Sequence, residues 1–463
     1  PNAELYTVEG MLDFRSYGST FETFIMAENS KVKNQIDGIV LIKNIQMHST
    51  STVQGSTVNI NTNTLTCTNT IIASDLINLT VNEARIETSG TLQSQTIKIH
   101  TLDYLEVNGT IDTNGRGHAP GTGPGAGCHG SNNNRGASGG AHGGKGGAAS
   151  GSDCGVATDS YGDGMSSIVT MGSGGGQADG GNGYGGGLIH LKSDNKIVLG
   201  PDVVISANGN DAGVQSSWYG IGGAGGAGGG IWLRTNTLIA STTSKLTAKG
   251  GSGNYYKPSS SQPVRYGSGG GGGGRILIET ASAVTTDSIE NGLNIIIELN
   301  GANGASGGKV GKGGSLTFRG LNVNSPIDVY ISETSIVSDL SDVFFEGVKA
   351  ITLNSNAELY TVERSMDFRS YGSTFETFIM AENSKLKNHI DGVVLIKNIQ
   401  MHSTSTVEGS TVNINTNSFT CANNIMASNL VNITANDARI KLSGTLQSQK
   451  IKIHALDYLE VNG

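Results

Sequence analysis

The chain has 463 residues, of which 70 are glycine, 15 % charged and 5 % aromatic, a balance unlike that of an ordinary globular enzyme. Its net charge of −8 is modest and no Lys/Arg run occurs, so nucleic-acid binding has no electrostatic footprint. Seven prolines and no glycine at every third position exclude collagen, and no run of about 18 apolar residues could span a bilayer.

Residues 2–109 return without insertion or deletion as residues 356–463, an offset of 354, with 21 of the 108 positions changed. Many changes exchange one apolar residue for another, such as Val32 to Leu386, Leu65 to Phe419, Ile72 to Met426 and Leu79 to Ile433. A shared packed interior tolerates such changes, so both copies are expected to fold alike. The sequence starts on Pro1 in mid-pattern and stops at Gly463, where the first copy continues with Thr110. It is therefore expected to be a window on a longer tandem array.

Three apolar series run through the first hundred residues with steps of about 20 residues. The first is Ile39/Leu41, Val58/Ile60, Ile77/Leu79 and Ile97/Ile99. The second is Ile45/Met47, Leu65/Cys67, Ala84/Ile86 and Leu105/Val107, and the third is Val53, Ile72, Leu92 and Ile111. Apolar residues two apart mark strands with one buried face. Three short strands per turn predict an all-β, three-sided parallel β-helix, a solenoid in which each rung is stabilised by its neighbours. No 3.6-residue apolar period persists, so helix is not expected.

Between Gly109 and Gly320 lie 59 of the 70 glycines, and the rung pattern persists among them. Ile189/Leu191, Ile197/Leu199 and Ile205 lead to Asn208-Gly209, while Ile231/Leu233, Leu238/Ala240 and Leu246 lead to Lys249-Gly250. A looser version runs from Ile276/Ile278 to Asn300-Gly301. Each glycine stretch thus leaves the coil after a third strand and re-enters before a first one, so the arms should project from one corner. The division expected is rungs over 1–114, rungs alternating with arms over 115–314, joining rungs over 315–355 and the second copy over 356–463. The arms fall at about 115–187, 209–230, 250–274 and 301–314. Runs such as Gly222, Gly223, Gly225, Gly226, Gly228 and Gly229 suit polyglycine-II-like helices that pack closely for want of side chains.

The strand, then Asn-Gly or Lys-Gly-Gly, then a long arm, then GGG and an apolar strand resembles a module of very large secreted glycine-rich tandem-repeat β-solenoid proteins of protists and plants. GPGAGCHG, GGAHGGKGG and YGSGGGGGG resemble that family's arms, and GGAGGAGGG is similar to polyglycine-II bundles of some phage tail adhesins and an insect antifreeze protein. The resemblance covers about residues 97–314. It implies an extracellular or cell-surface structural role and carries no catalytic residues.

Chemical motifs are weak. Residues 136–140 (GASGG) fit a nucleophile elbow but lack its strand-to-helix turn, and 139–146 (GGAHGGKG) lack the Ser/Thr of a phosphate loop. The outward positions Asn59/Asn61, Asn78/Thr80 and Lys98/His100 include no acid for carbohydrate chemistry. No catalytic, cofactor or metal site is therefore assigned. His118, His129 and His142 with Cys128, or Asp153, Asp159 and Asp163, have no metal-site spacing and read as polar residues of solvated arms. Cys67 should point inward as a small hydrophobe, whereas Cys128 and Cys154 share an arm and can pair in an oxidising compartment. Asn78, Asn108 and Asn432 are glycosylation sequons if the protein is secreted by a eukaryote.

The function expected is that of a structural repeat unit in an extracellular fibre, filament or surface appendage. Its partners would be further copies of the same repeat along the axis, with glycans where the sequons are used. A stalk for a repetitive cell-surface adhesin is the alternative. Ice binding would need a regular outward ladder that these mixed rows do not supply.

Overall fold

The structure, a computed structural model, describes residues 52–130, 136–150, 154–156, 158–162, 167–177, 183–213, 223–254, 267–285, 295–305, 307–321, 404–421, 424–441 and 443–462. Shorter pieces are described between residues 4 and 47 and between 327 and 402. The fold is all-β: no helix occurs among the described residues, and none is long and apolar enough to cross a membrane. Every described strand pairing is parallel, in sheets of which the largest has 19 strands. These large parallel sheets are consistent with a β-solenoid.

Sequence periodicity becomes ladder register almost throughout. Val58 faces Ile77, Ile77 faces Ile97, Ile97 faces Ile189, Ile189 faces Ile231, Ile231 faces Ile276 and Ile276 faces Leu316. A second ladder joins Leu65, Ala84, Leu105, Ile197 and Leu238, and a third joins Leu92, Ile111, Ile205, Leu246 and Ile297. All these side chains are buried and belong to one hydrophobic cluster running from Met26 to Ile440. Glycine-rich insertions of very different length thus leave the core in register. The reason is that alternation places one side chain in two inward, and a one-residue slip would turn the whole set outward.

Two positions correct the expected pattern. The third ladder uses Ile71, fully buried between Val53 and Leu92, rather than Ile72. In the first ladder the strand Ile39–Ile42 aligns Val40 and Ile42, not Ile39 and Leu41, with Val58 and Ile60. Both runs, Ile-Ile and Ile-Val-Leu-Ile, are apolar on both faces, so alternation leaves them without a marked phase. The Ile72-to-Met426 change accordingly falls beside the core, while Ile71 and Ile425 are identical and buried.

The second copy repeats these registers. Val394 faces Val412, Val412 faces Val431, Phe419 faces Ala438 and Val407 faces Ile425. Between the copies, Asp342–Glu346 pairs with Ser315–Gly320, and Val348–Leu353 pairs with both Ile327–Ile331 and Thr377–Met380. Among the described residues ten first-ladder strands succeed one another, beginning at Met11, Ile39, Thr57, Leu76, Thr96, Leu188, Gly230, Arg275, Ser315 and Asp342. The roughly 220 residues of a repeat outside the expected arms suggest about 11 rungs of about 20 residues. The difference arises because some turns are longer, as between Met11 and Ile39.

Candidate functional site

The most distinctive chemistry lies in the glycine-rich backbone. A buried peptide group must find a hydrogen-bond partner, and segments without side chains can find it only in each other. Gly183 and Gly186 donate to the carbonyls of Ala224 and Ala227, Gly225 and Gly228 to those of Gly269 and Gly272, and Gly270 and Gly273 to those of Lys309 and Lys312, at 2.8–3.2 Å. Each pair is three residues apart, the period of a polyglycine-II helix. Where the segments leave the strands the bonds are two residues apart, the strand period, over 2.8–2.9 Å: Thr113 and Gly115 donate to Ser206 and Asn208, Ala207 and Gly209 to Thr247 and Lys249, and Ala248 and Gly250 to Glu298 and Asn300.

Bonds also run sideways. Gly226 and Gly229 donate to Asn210 and Ala207, Ala227 donates to Ser173, and Gly272 and Gly269 donate to Gly140 and Ala137. Successive amides of one segment therefore point to three different neighbours, as three-fold symmetry requires. Of the six glycines expected to pack, Gly225, Gly226, Gly228 and Gly229 donate in this way, and Gly223 accepts from Asn254 at 3.0 Å. Gly222 lies outside the described residues.

Glycine is required at Gly225 for space. Its φ is not in the left-handed region, but a β-carbon there would fall on the carbonyl oxygen of Gly251, far inside van der Waals contact. The same holds at Gly271 against the carbonyl of Gly226.

A polar node fastens these segments together. His142 is fully buried, which corrects its expected place in a solvated arm. Its Nδ1 donates to the carbonyls of Gly228 (2.9 Å) and Gly229 (3.2 Å), leaving Nε2 to accept from the Thr170 hydroxyl at 2.9 Å. The His142 ring lies 5.1 Å from that of Tyr161, whose carbonyl accepts two bonds from the Arg275 guanidinium. Arg275 also donates to Ser315, and Ser173 links the Tyr161 hydroxyl to the amide of Gly125. Burial, followed by the charge of Arg275, lowers the His142 pKa from 6.5 to about 3.

The outward side of the first ladder carries a second feature. His190 stacks on Trp232 with centroids 4.1 Å apart, and Trp232 donates to the buried Glu279 at 2.6 Å. Arg319 meets the same carboxylate at 2.7 Å and Arg234 lies 3.9 Å away. Ile168, Leu188 and Leu277 form a small buried cluster with Met171 and Trp232, so the segment around Ile168 covers this part of the sheet. Burial, then Lys98 and Lys192, lowers the His190 pKa to about 4. At the third ladder, burial works against the charge of Glu298, yet Lys249 and Lys245, each 2.9 Å away, hold its carboxyl below the usual range.

These histidines set a pH dependence. Neutral His142 and His190 are the forms the fold holds, so their contribution is complete above about pH 6.5. It is lost as pH falls from there toward 4 and 3, because only the unfolded chain takes up the protons. Chemical unfolding from pH 8 to 4 should show a flat region and then declining stability, by at most about 1.4 kcal/mol per pH unit for each histidine. In His142→Gln the decline should be shallower; an unchanged profile would remove His142 from this role.

The remaining sequence candidates are spread apart. Cys128 and Cys154 are joined by a disulfide with Cα atoms 5.6 Å apart, so Cys128 is not a metal ligand. Cys67 and Cys421 are buried and outside any disulfide, and burial pushes the Cys67 pKa up to about 12. His129 Nδ1 accepts from the Gln177 amide, while Asp159 lies 3.4 Å from Lys145. Burial lowers the His118 pKa. Asp153 and Asp163 lie outside the described residues, among which no group of three or more His, Cys, Asp and Glu is placed to hold a metal. Ser138 is buried and its hydroxyl accepts from the Cys128 amide. Asn78 and Asn432 are half-buried between buried apolar residues in equivalent strands, and Asn108 donates to Glu106. Compared with protein-family models, curated proteins and solved structures, the chain gives no match.

Proposed function

We propose that this chain is the structural repeat unit of an extracellular or cell-surface filament. Its strands wind as a three-sided parallel β-helix, and its glycine-rich segments are arms that leave one corner and stack as polyglycine-II helices. The observation that carries the reading is continuity: one apolar cluster runs through both copies between wholly parallel sheets, with hydrogen bonds of period three joining the glycine segments. Such a coil transmits load along stacked strands, while lateral layers resist bending. The resemblance of the strand-and-arm pattern to large secreted glycine-rich repeat proteins agrees with this role.

Negative-stain microscopy of native material should find long uniform filaments; short stalks anchored to cells and ending in a distinct tip would favour the adhesin alternative.

A further inference from the structure

We infer that the last glycine layer, residues 299–305 and 307–314, is a docking edge for the same edge of a second copy. This rests on the layered reading above and extends it sideways, from within one chain to between chains.

The ladder registers make Gly225, Gly270 and Val310 equivalent, and likewise Gly228, Gly273 and Gly313. Gly225 and Gly228 donate to the next layer, as do Gly270 and Gly273. Val310 and Gly313 donate to nothing among the described residues, although Gly313 is buried. On the outgoing side, Gly209 and Ala212 donate onward to Lys249 and Ser252, and Gly250 and Gly253 to Asn300 and Asn303. Their counterparts Gly301 and Gly304 again have no acceptor among the described residues.

The same edge offers an acceptor. The carbonyls of Tyr184, Gly226 and Gly271 take the amides of Asn210, Gly251 and Ala302 from the following layer. Gly311 is their counterpart, and no donor among the described residues reaches its carbonyl. Donors and an acceptor on one edge make it self-complementary, which suits a two-fold contact. Adjacent outgoing and returning segments already bond in antiparallel fashion, so such a pairing repeats a contact the fold uses. Val310, 49 % exposed, would be covered by it. A partner of identical chemistry continues the existing interface without new side chains.

Hydrogen exchange of the full chain across a range of protein concentrations tests this. Peptides covering 299–314 should gain at least tenfold protection as concentration rises, while those covering 267–274 stay protected throughout. Val310→Pro removes a donor that makes no bond among the described residues and should reduce that gain at least tenfold with 267–274 unaffected. Protected 267–274 with 299–314 unprotected at every concentration overturns the docking edge and leaves the filament reading intact. Free exchange at 267–274 overturns the layered reading and the docking edge with it. Protection of 299–314 that appears only on adding heparin would overturn a second copy as the occupant.

Discussion

Gly225→Val should cost more than about 4 kcal/mol, placing it among the most severe single substitutions in the chain. The added β-carbon would coincide with the Gly251 carbonyl oxygen, and the displaced backbone would lose the bonds from Gly225 to Gly269 and from Gly251 to Gly226. Neither partner is a flexible side-chain end that could move aside. Val156→Ala, at a position 80 % exposed, should change stability by no more than about 0.5 kcal/mol. Denaturant unfolding followed by hydrogen exchange across 223–274 separates the two. Equal tolerance would mean that the glycine segments do not pack as described.

Ile189→Asp should be comparably damaging for a different reason. Ile189 is fully buried between Ile97 and Ile231, where a carboxylate would find no partner and the ladders above and below would lose their contact. Breaking one rung also breaks the stacking on which both neighbours depend, so the loss should exceed about 4 kcal/mol. Val204→Asp, in the strand Val204–Ser206 but 36 % exposed, should be tolerated within about 1 kcal/mol. If both substitutions were tolerated alike, the inward assignment of the first ladder would be wrong.

Much of the ladder was legible because alternation and spacing recur. Ile97, Ile189 and Ile231 share sequence context despite the 92 residues separating the first two, and the structure places them in one row. Phase was lost only where two faces are both apolar, at Ile71/Ile72 and Ile39–Ile42. Composition could not locate the polar node, because His142, Tyr161, Thr170 and Arg275 come from distant places without a spacing rule. One signal was available: Trp232 and Leu277 occupy outward positions yet are apolar, and so announce a covered face. Their cover, around Ile168, lies inside a glycine-rich stretch that periodicity cannot read.

The axial repeat of native filaments tests the central claim most directly. On the proposal that the glycine-rich residues run sideways, the ten first-ladder strands among the described residues of one repeat, about 4.8 Å apart, predict about 48 Å along the axis. Were every residue wound into rungs of about 20, the repeat would hold about 18 rungs and measure about 85 Å. A power spectrum of filament images or fibre diffraction should therefore show a repeat near 48 Å, and one above about 80 Å would contradict the account.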